Sequence, residues 1–187
     1  AEIGSTYFQE THPQELFREC SVYCELVTSA EAAPRVLEMA MRAAIEEQGV
    51  AVVVVPGEVF LHRLSEAPSR VRPVLPTRSV VRPCDDDLRR AAEILDLGSR
   101  VTILAGAGAA GAHAELVELA GVLAAPIVHA LRGKEFVEYD NPYDVGMTGL
   151  LGFASGYKAI KEADVLLMLG TDFPYRQFYP EDATVIQ

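Results

Sequence analysis

Positive charge is the first thing this sequence lacks. Sixteen Lys and Arg stand against 27 Asp and Glu, a formal net charge of −11 at pH 7. That balance disfavours nucleic acid and anionic membrane surfaces as main partners, and ordinary solubility accounts for it. No run of about 18 uncharged apolar residues is present, so no membrane-spanning helix is expected. No basic segment followed by an apolar stretch opens the chain, so no signal peptide is read. Tryptophan is absent and there are three cysteines, Cys20, Cys24 and Cys84. An odd count without a secretory segment fits a reducing, cytoplasmic setting. Cys20 and Cys24 share a helical face. No second Cys or His pair follows at ligand spacing, so no metal ligands are assigned.

Apolar residues are plentiful, at 50% of the 187 residues, enough for a real core in one large domain or one and a half. The chain divides into residues 1–61, a linker at 62–84 and a second half at 85–187. In the first half, Glu15 to Leu26 reads as helical. Thr28 with Glu31 resembles a capping box. Apolar spacing over Val36–Ile45 predicts a helix closed by Gly49, with Pro34 in its first turn. Ala51–Val55 is a continuous apolar run, the pattern of a parallel strand covered on both faces. The linker holds Pro68, Pro73, Pro76 and Pro83 with several arginines and no periodicity. Asp85–Asp87 then open a helix running through Leu95.

The second half alternates. Val101–Ala105, Pro126–Leu131, Val165–Leu169 and Thr184–Gln187 read as strands, with helices over Gly111–Ala124 and Gly152–Ala163. This predicts an α/β fold, a doubly wound parallel sheet of Rossmann-like type preceded by part of a second α/β domain. The last strand stops with the chain, so the sequence is expected to be a piece of a longer polypeptide.

The apolar run Val101–Ala105 ends in Gly106-x-Gly108-x-x-Gly111 and leads into a helix. Such a turn lets backbone approach a pyrophosphate at a helix N-terminus, although a glycine-eased turn without a ligand has the same pattern. No acid lies in or just after the second apolar run to hold a ribose; Arg132, Gly133 and Lys134 follow instead. The pattern therefore indicates an ADP-containing ligand more than NAD. Three loops, 106–111, 132–151 and 170–175, leave the carboxyl ends of strands and are expected to meet at one crevice. The middle one is unusually long for a loop without function.

The stretches GAGAAGAHAELVELAG, PIVHALRGKEFVEYDNPYDVGMTGLLGFASGY and LGTDFPYRQFYP closely resemble the central FAD-binding domain of quinone-reducing pyruvate oxidases, in the thiamine-diphosphate superfamily. The opening AEIGSTYFQETHPQELFRECSVYCELV resembles the later part of their pyrimidine-binding domain. The resemblance implies an oxidoreductase that decarboxylates pyruvate to acetate and CO2 and passes electrons through FAD to a membrane quinone. It further implies thiamine diphosphate and Mg2+ in the full-length enzyme, a homotetramer, and a cytoplasmic location or one peripheral to the inner face of the cell membrane.

By that resemblance, Thr148, Gly149, Leu150 and Leu151 line the flavin, as do Thr171, Asp172, Phe173, Pro174 and Tyr175. Gly106, Gly108 and Gly111 approach the ADP half, with Arg132 near its phosphates. Phe8 and Gln9 match a pair that faces the active site of a neighbouring subunit. Packing within their own domain is the competing reading for Phe8, Phe173 and Tyr175. His113 and His129 are candidate acid–base groups, with His129 read as structural or as a flavin contact. The family's activating Glu, its Gly-Asp-Gly motif for diphosphate and Mg2+, and its C-terminal membrane segment have no counterpart in this chain. The chain alone is thus expected to hold FAD at most. The alternatives are a related decarboxylase or acetohydroxyacid synthase whose central domain is architectural, and a regulatory nucleotide-binding module.

Overall fold

The computed structural model describes residues 3–64, 74 and 80–187. Most of the proline-rich segment read as a linker, including Pro68, Pro73 and Pro76, lies outside the described residues. The chain forms two compact units, Ala1–Val81 and Arg82–Gln187.

In the first unit, α1 (Pro13–Leu16) leads into β1 (Tyr23–Leu26), then α2 (Ala33–Glu46), β2 (Ala51–Val54) and α3 (Gly57–Leu61). β1 and β2 pair in parallel, with Tyr23 opposite Ala51 and Leu26 opposite Val54. The helix expected over Glu15–Leu26 is therefore corrected: it stops at Leu16, and Tyr23–Leu26 is a strand. Its two ends gain ladder hydrogen bonds from the 50–54 backbone, Val22 N–H to Val50 O and Val27 N–H to Val54 O. Tertiary pairing overrides a weak helical spacing here. The capping box is corrected as well. The Ser29 hydroxyl, not that of Thr28, accepts from the Ala32 N–H at 3.2 Å, just before Ala33. Pro34 sits in the first turn of α2, as its fixed φ allows. Gly49 does not supply the left-handed residue after α2. Gln48 does, at φ +50°, while Gly49 is small because Val22 fills the space beside it.

The second unit is a five-stranded, all-parallel sheet in the order β5-β4-β3-β6-β7. Its elements are α4 (Asp85–Leu97), β3 (Val101–Ala105), α5 (His113–Leu123), β4 (Ile127–His129), α6 (Lys134–Val137), β5 (Asp144–Met147), α7 (Ala154–Lys161), β6 (Val165–Leu169) and β7 (Thr184–Ile186). Short 3₁₀ turns follow β3, β4 and β6. The order reverses between β3 and β6, which defines a doubly wound α/β fold with a switch point there. The sheet has one strand more than the sequence predicts. β5 was hidden in the expected long loop, and the strand expected at Pro126–Leu131 ends at His129.

Strand alternation distributes the core to two layers. Val101, Ile103 and Ala105 of β3 pack with Leu116 and Ala120 of α5 on one face. Leu104 packs with Ile160 of α7, Val128, Leu166 and Phe173 on the other. Thr102, on that second face, donates its hydroxyl to the Ala159 carbonyl at 2.9 Å, which satisfies a buried polar group and ties β3 to α7.

Candidate functional site

All five strands are parallel, so the loops leaving β3, β4, β5 and β6 share one edge of the sheet. At the switch point, the β3 and β6 loops close on each other. Gly106 N–H donates to Leu169 O and Gly108 N–H to Gly170 O, each at 2.9 Å. A Cβ on Gly106 would lie 2.5 Å from Gly170 O, and one on Gly108 would lie 2.6 Å from Gly170 Cα. Gly170 itself holds φ +61°. Gly106 and Gly108 thus have a packing role that their motif does not reveal, since their missing side chains make room for the backbone of 170–171. Gly111 differs. It holds φ +88°, and nothing lies within 4 Å of its would-be Cβ. It is glycine for its backbone angle and leaves open space in front of α5. No side chain caps α5, so its first-turn N–H groups face that opening and favour an anion.

The open concavity lies on the β4 side of this closed switch point. A cavity of about 730 Å³ is lined by Ala107, Leu131, Arg132, Lys134, Glu135, Phe136, Glu138 and Tyr139. Of the flavin and phosphate contacts expected from sequence, Arg132 alone lines it, with Lys134 of the same basic segment beside it. Glu135 on α6 and Glu138 just after it bring two acids into this cavity. They stand 24 and 27 residues after Gly111, past the spacing of about 20 residues at which a dinucleotide fold places its acid. Lys134 pairs with Glu138. His113 donates Nδ1–H to the Phe136 carbonyl at 2.9 Å and stacks on Tyr139 at a 4.1 Å centroid distance. That bond and stack fix the cavity wall, which gives His113 a structural role.

His129, at the end of β4, is 1% exposed. Its Nδ1 lies 2.8 Å from Asp144 Oδ1 on the adjacent strand. Its Nε2 has no hydrogen-bond partner among the described residues and sits 3.9 Å from Glu138 Oε2. The buried Thr148 hydroxyl also lacks a partner.

The remaining loop residues fall into two sets. Gly149, at φ +110°, packs against Phe173, with its would-be Cβ 3.4 Å from the ring. Phe173 is buried in the α7-side core, so its ring is a packing element. Tyr175 stacks edge-on to it at 5.3 Å. Tyr179 donates its hydroxyl to the Phe173 carbonyl at 2.6 Å. Burial, with Asp172 nearby, raises the Tyr179 pKa. Leu150 and Leu151 are both strongly exposed, and Asp172 and Pro174 are also on the surface. Thr171 packs against Gly106. In the first unit, Phe8 is 84% exposed. Its neighbour Gln9 accepts a hydrogen bond from the Tyr7 hydroxyl at 3.2 Å.

Among the described residues, no three His, Cys, Asp or Glu side chains converge as metal ligands, and no helix is long and apolar enough to cross a membrane.

Comparison with known proteins gives the family. The thiamine pyrophosphate enzyme central domain matches residues 88–187. Over its whole length the chain is 59% identical to an uncharacterized 42.6 kDa protein in the isoamylase 3′ region of Pseudomonas amyloderamosa, 47% of which it covers. It is 37% identical over 186 residues to the putative thiamine pyrophosphate-containing protein YdaP of Bacillus subtilis (strain 168), covering all of this chain and 32% of that protein. Pyruvate oxidase of Lactiplantibacillus plantarum is 27% identical over 176 residues, 91% of this chain and 28% of the relative. The chain therefore spans half or less of each of these relatives. The chain belongs to the thiamine pyrophosphate enzymes and carries their central domain.

Proposed function

We propose that this chain is the nucleotide-holding part of a thiamine-diphosphate-dependent enzyme that oxidatively decarboxylates pyruvate, with FAD bound by the second unit. The observation that carries the reading is the strand edge itself. An uncapped helix N-terminus, Arg132, which has no ion pair among the described residues, and a cavity with the aromatic walls Phe136 and Tyr139 stand together there. Those groups fit a diphosphate and a flat ring system. The similarity to a pyruvate oxidase supports the choice of pyruvate, and the family supports thiamine diphosphate. FAD, when bound, supplies two-electron oxidation.

The chain's own residues bind and position. α5 and Arg132 attract the phosphates. The close contact of Gly106 and Gly108 with Gly170 anchors the start of the 171–175 loop. Leu150 and Leu151 offer an apolar surface for the flavin. Phe8 and Gln9 are assigned to the substrate side, where an aromatic shields a reacting carbonyl and an amide donates to it. The full-length protein is read as a homotetramer at the inner face of the cell membrane, passing electrons to a quinone. No residue of this chain is assigned to Mg2+.

One observation favours a second reading, in which the central domain is architectural: the glycine turn is filled by the Gly170 loop. The absorption spectrum of the purified full-length protein decides between them. Flavin bands that leave the protein on denaturation are expected. Their absence would favour the architectural domain of a related decarboxylase or synthase.

A further inference from the structure

We infer that Tyr179 and Lys161 are positioning residues for the flavin, a role that rests on the flavin reading above: together they hold Phe173, on which both loops assigned to the flavin are seated. β3, β4 and β5 are each followed by an α-helix before the next strand, whereas β6 reaches β7 through a 3₁₀ turn, Arg176–Phe178. That turn pairs the Tyr175 and Arg176 carbonyls with the Phe178 and Tyr179 N–H groups. The carbonyls on either side of it need other donors. Side chains supply them. Gln187 donates Nε2–H to the Thr171 carbonyl at 3.2 Å. Tyr179 donates its hydroxyl to the Phe173 carbonyl at 2.6 Å. Lys161, the last residue of α7, donates Nζ–H to the Tyr179 carbonyl at 2.9 Å and lies 3.6 Å from Glu181 Oε1. Tyr179 thus takes part in two of these bonds, as donor to the loop and as acceptor from the helix.

What Tyr179 holds is the point where the two loops meet. The Phe173 ring is buried in the α7-side core, and Gly149 of the β5 loop packs on it. Tyr175 lies edge-on to the same ring, and both Tyr175 and Asp172 are exposed. Phe173 therefore acts on the flavin site through its neighbours. Its ring and backbone set where Asp172, Tyr175 and the turn at Gly149 stand. Loosening Phe173 shifts all of them at once, and a binding constellation tolerates displacements of only about 0.5 Å. Burial raises the Tyr179 pKa, with Asp172 adding to it, so the hydroxyl keeps its proton and remains a donor at neutral pH.

The test uses the full-length protein stripped of flavin, with FAD added back and its dissociation constant read from flavin fluorescence. Tyr179→Phe keeps the ring and removes the hydroxyl. It is expected to weaken FAD binding about 10-fold, the size of one lost hydrogen bond. Trypsin reads the loosening separately. Arg176 is exposed between β6 and β7. Cleavage after it should quicken about 10-fold in the flavin-free variant, and FAD should slow it in the wild type. The melting temperature of the flavin-free protein should stay near that of wild type, because this segment opens without the sheet. Lys161→Met cuts the outer end of the brace and should give smaller changes of the same kind. It stands in for Tyr179→Phe if that variant fails to fold. Unchanged FAD affinity in the folded variants, or weaker binding with unchanged cleavage after Arg176, overturns the proposal. Wild-type protein that takes up no FAD refutes the flavin reading and the brace with it. Wild type and variants that bind FAD equally well refute the brace alone.

Discussion

β2 in the first unit and β6 in the second are spelled in the same way and buried differently. Ala51–Val54 and Val165–Leu169 are both uninterrupted apolar runs. β6 lies between β3 and β7 with side chains packed on both faces, and Val165 through Met168 are buried. Among the described residues β2 pairs only with β1, and all four of its residues are half-buried. Around it, Leu37, Met41 and Ile45 recur at i, i+4, i+8 on α2 and stay exposed. A continuous apolar run thus states what a strand needs, two covered faces, and says nothing about whether its surroundings supply them. Fully burying one such side chain is worth about 1.5–3 kcal/mol. The second unit collects that gain along every central strand, while the first, among the described residues, has Val27, Ala30 and Ala40 as its buried apolar residues.

Truncation in each unit breaks this comparison most directly. Leu104→Ala, at 1% exposure in the centre of the sheet, should cost about 2–5 kcal/mol through lost transfer energy and a cavity. Val53→Ala in half-buried β2 should cost about 1 kcal/mol or less. Urea denaturation of both variants measures the contrast, and equal losses would mean that the two sheets are equally packed. The next effect in size concerns the glycines. Gly108→Val would drive a branched side chain into the Gly170 backbone, costing about 1–3 kcal/mol. Gly111→Ala has open space and only a left-handed backbone angle to overcome, about 1 kcal/mol. Thermal melts beside flavin content separate the two roles. Gly108→Val should lose stability and flavin together. A stable Gly108 variant without flavin would return that glycine to direct phosphate contact.

These glycines also mark how far the sequence was legible. The strand, glycine turn and helix over 101–123 could be read because periodicity and punctuation agree there. What fills the space over Gly106 and Gly108 could not, since Gly170 is some 60 residues away and only the β3–β6 pairing brings it close. β5 is illegible in the sequence for local reasons. DVGM has a glycine at φ +100° and an aspartate whose partner, His129, is on another strand. Tyr23–Leu26 reads as helix because Cys20 and Cys24 imitate helical spacing, and its pairing with β2 overrides that local signal. In the candidate site, Arg132 could be read as a cation following a strand. Glu135 and Glu138 could not, because a short helix carries them back to the cavity.

Phe8 sharpens the contrast from the other side, as a large apolar residue that takes no part in a core. Its ring is 84% exposed and touches the Tyr7 ring at a 4.8 Å centroid distance. Phe8→Ala should therefore leave the stability of the full-length enzyme within about 0.5 kcal/mol of wild type. If the residue faces substrate, pyruvate turnover should fall about 10-fold, or about 1.4 kcal/mol of transition-state stabilisation. Steady-state kinetics with a parallel melt checks this. A large drop in melting temperature with unchanged turnover would make Phe8 a packing residue.

The smallest expected effect lies at the edge of the well-packed unit, at Asp164. This carboxylate precedes β6 and accepts the Arg100 N–H at 2.9 Å and the Ser99 N–H at 3.0 Å, which joins the entrance of β3 to the entrance of β6. Those backbone donors, Arg100 first, hold its pKa below the usual carboxylate value. A depressed folded-state pKa means that the unfolded chain binds the proton more readily. Its contribution is then complete above about pH 4, the ordinary Asp range. It fades as the pH falls through the lower folded value. Asp164→Asn keeps an oxygen acceptor but removes the charge and its titration. The variant should be slightly less stable at neutral pH, and the difference from wild type should shrink as the pH falls through the acid range. Melting curves from pH 7 down to about pH 3 test it. A wild-type to variant gap that stayed constant over that range would show that the two backbone bonds, and not the charge, are what Asp164 contributes.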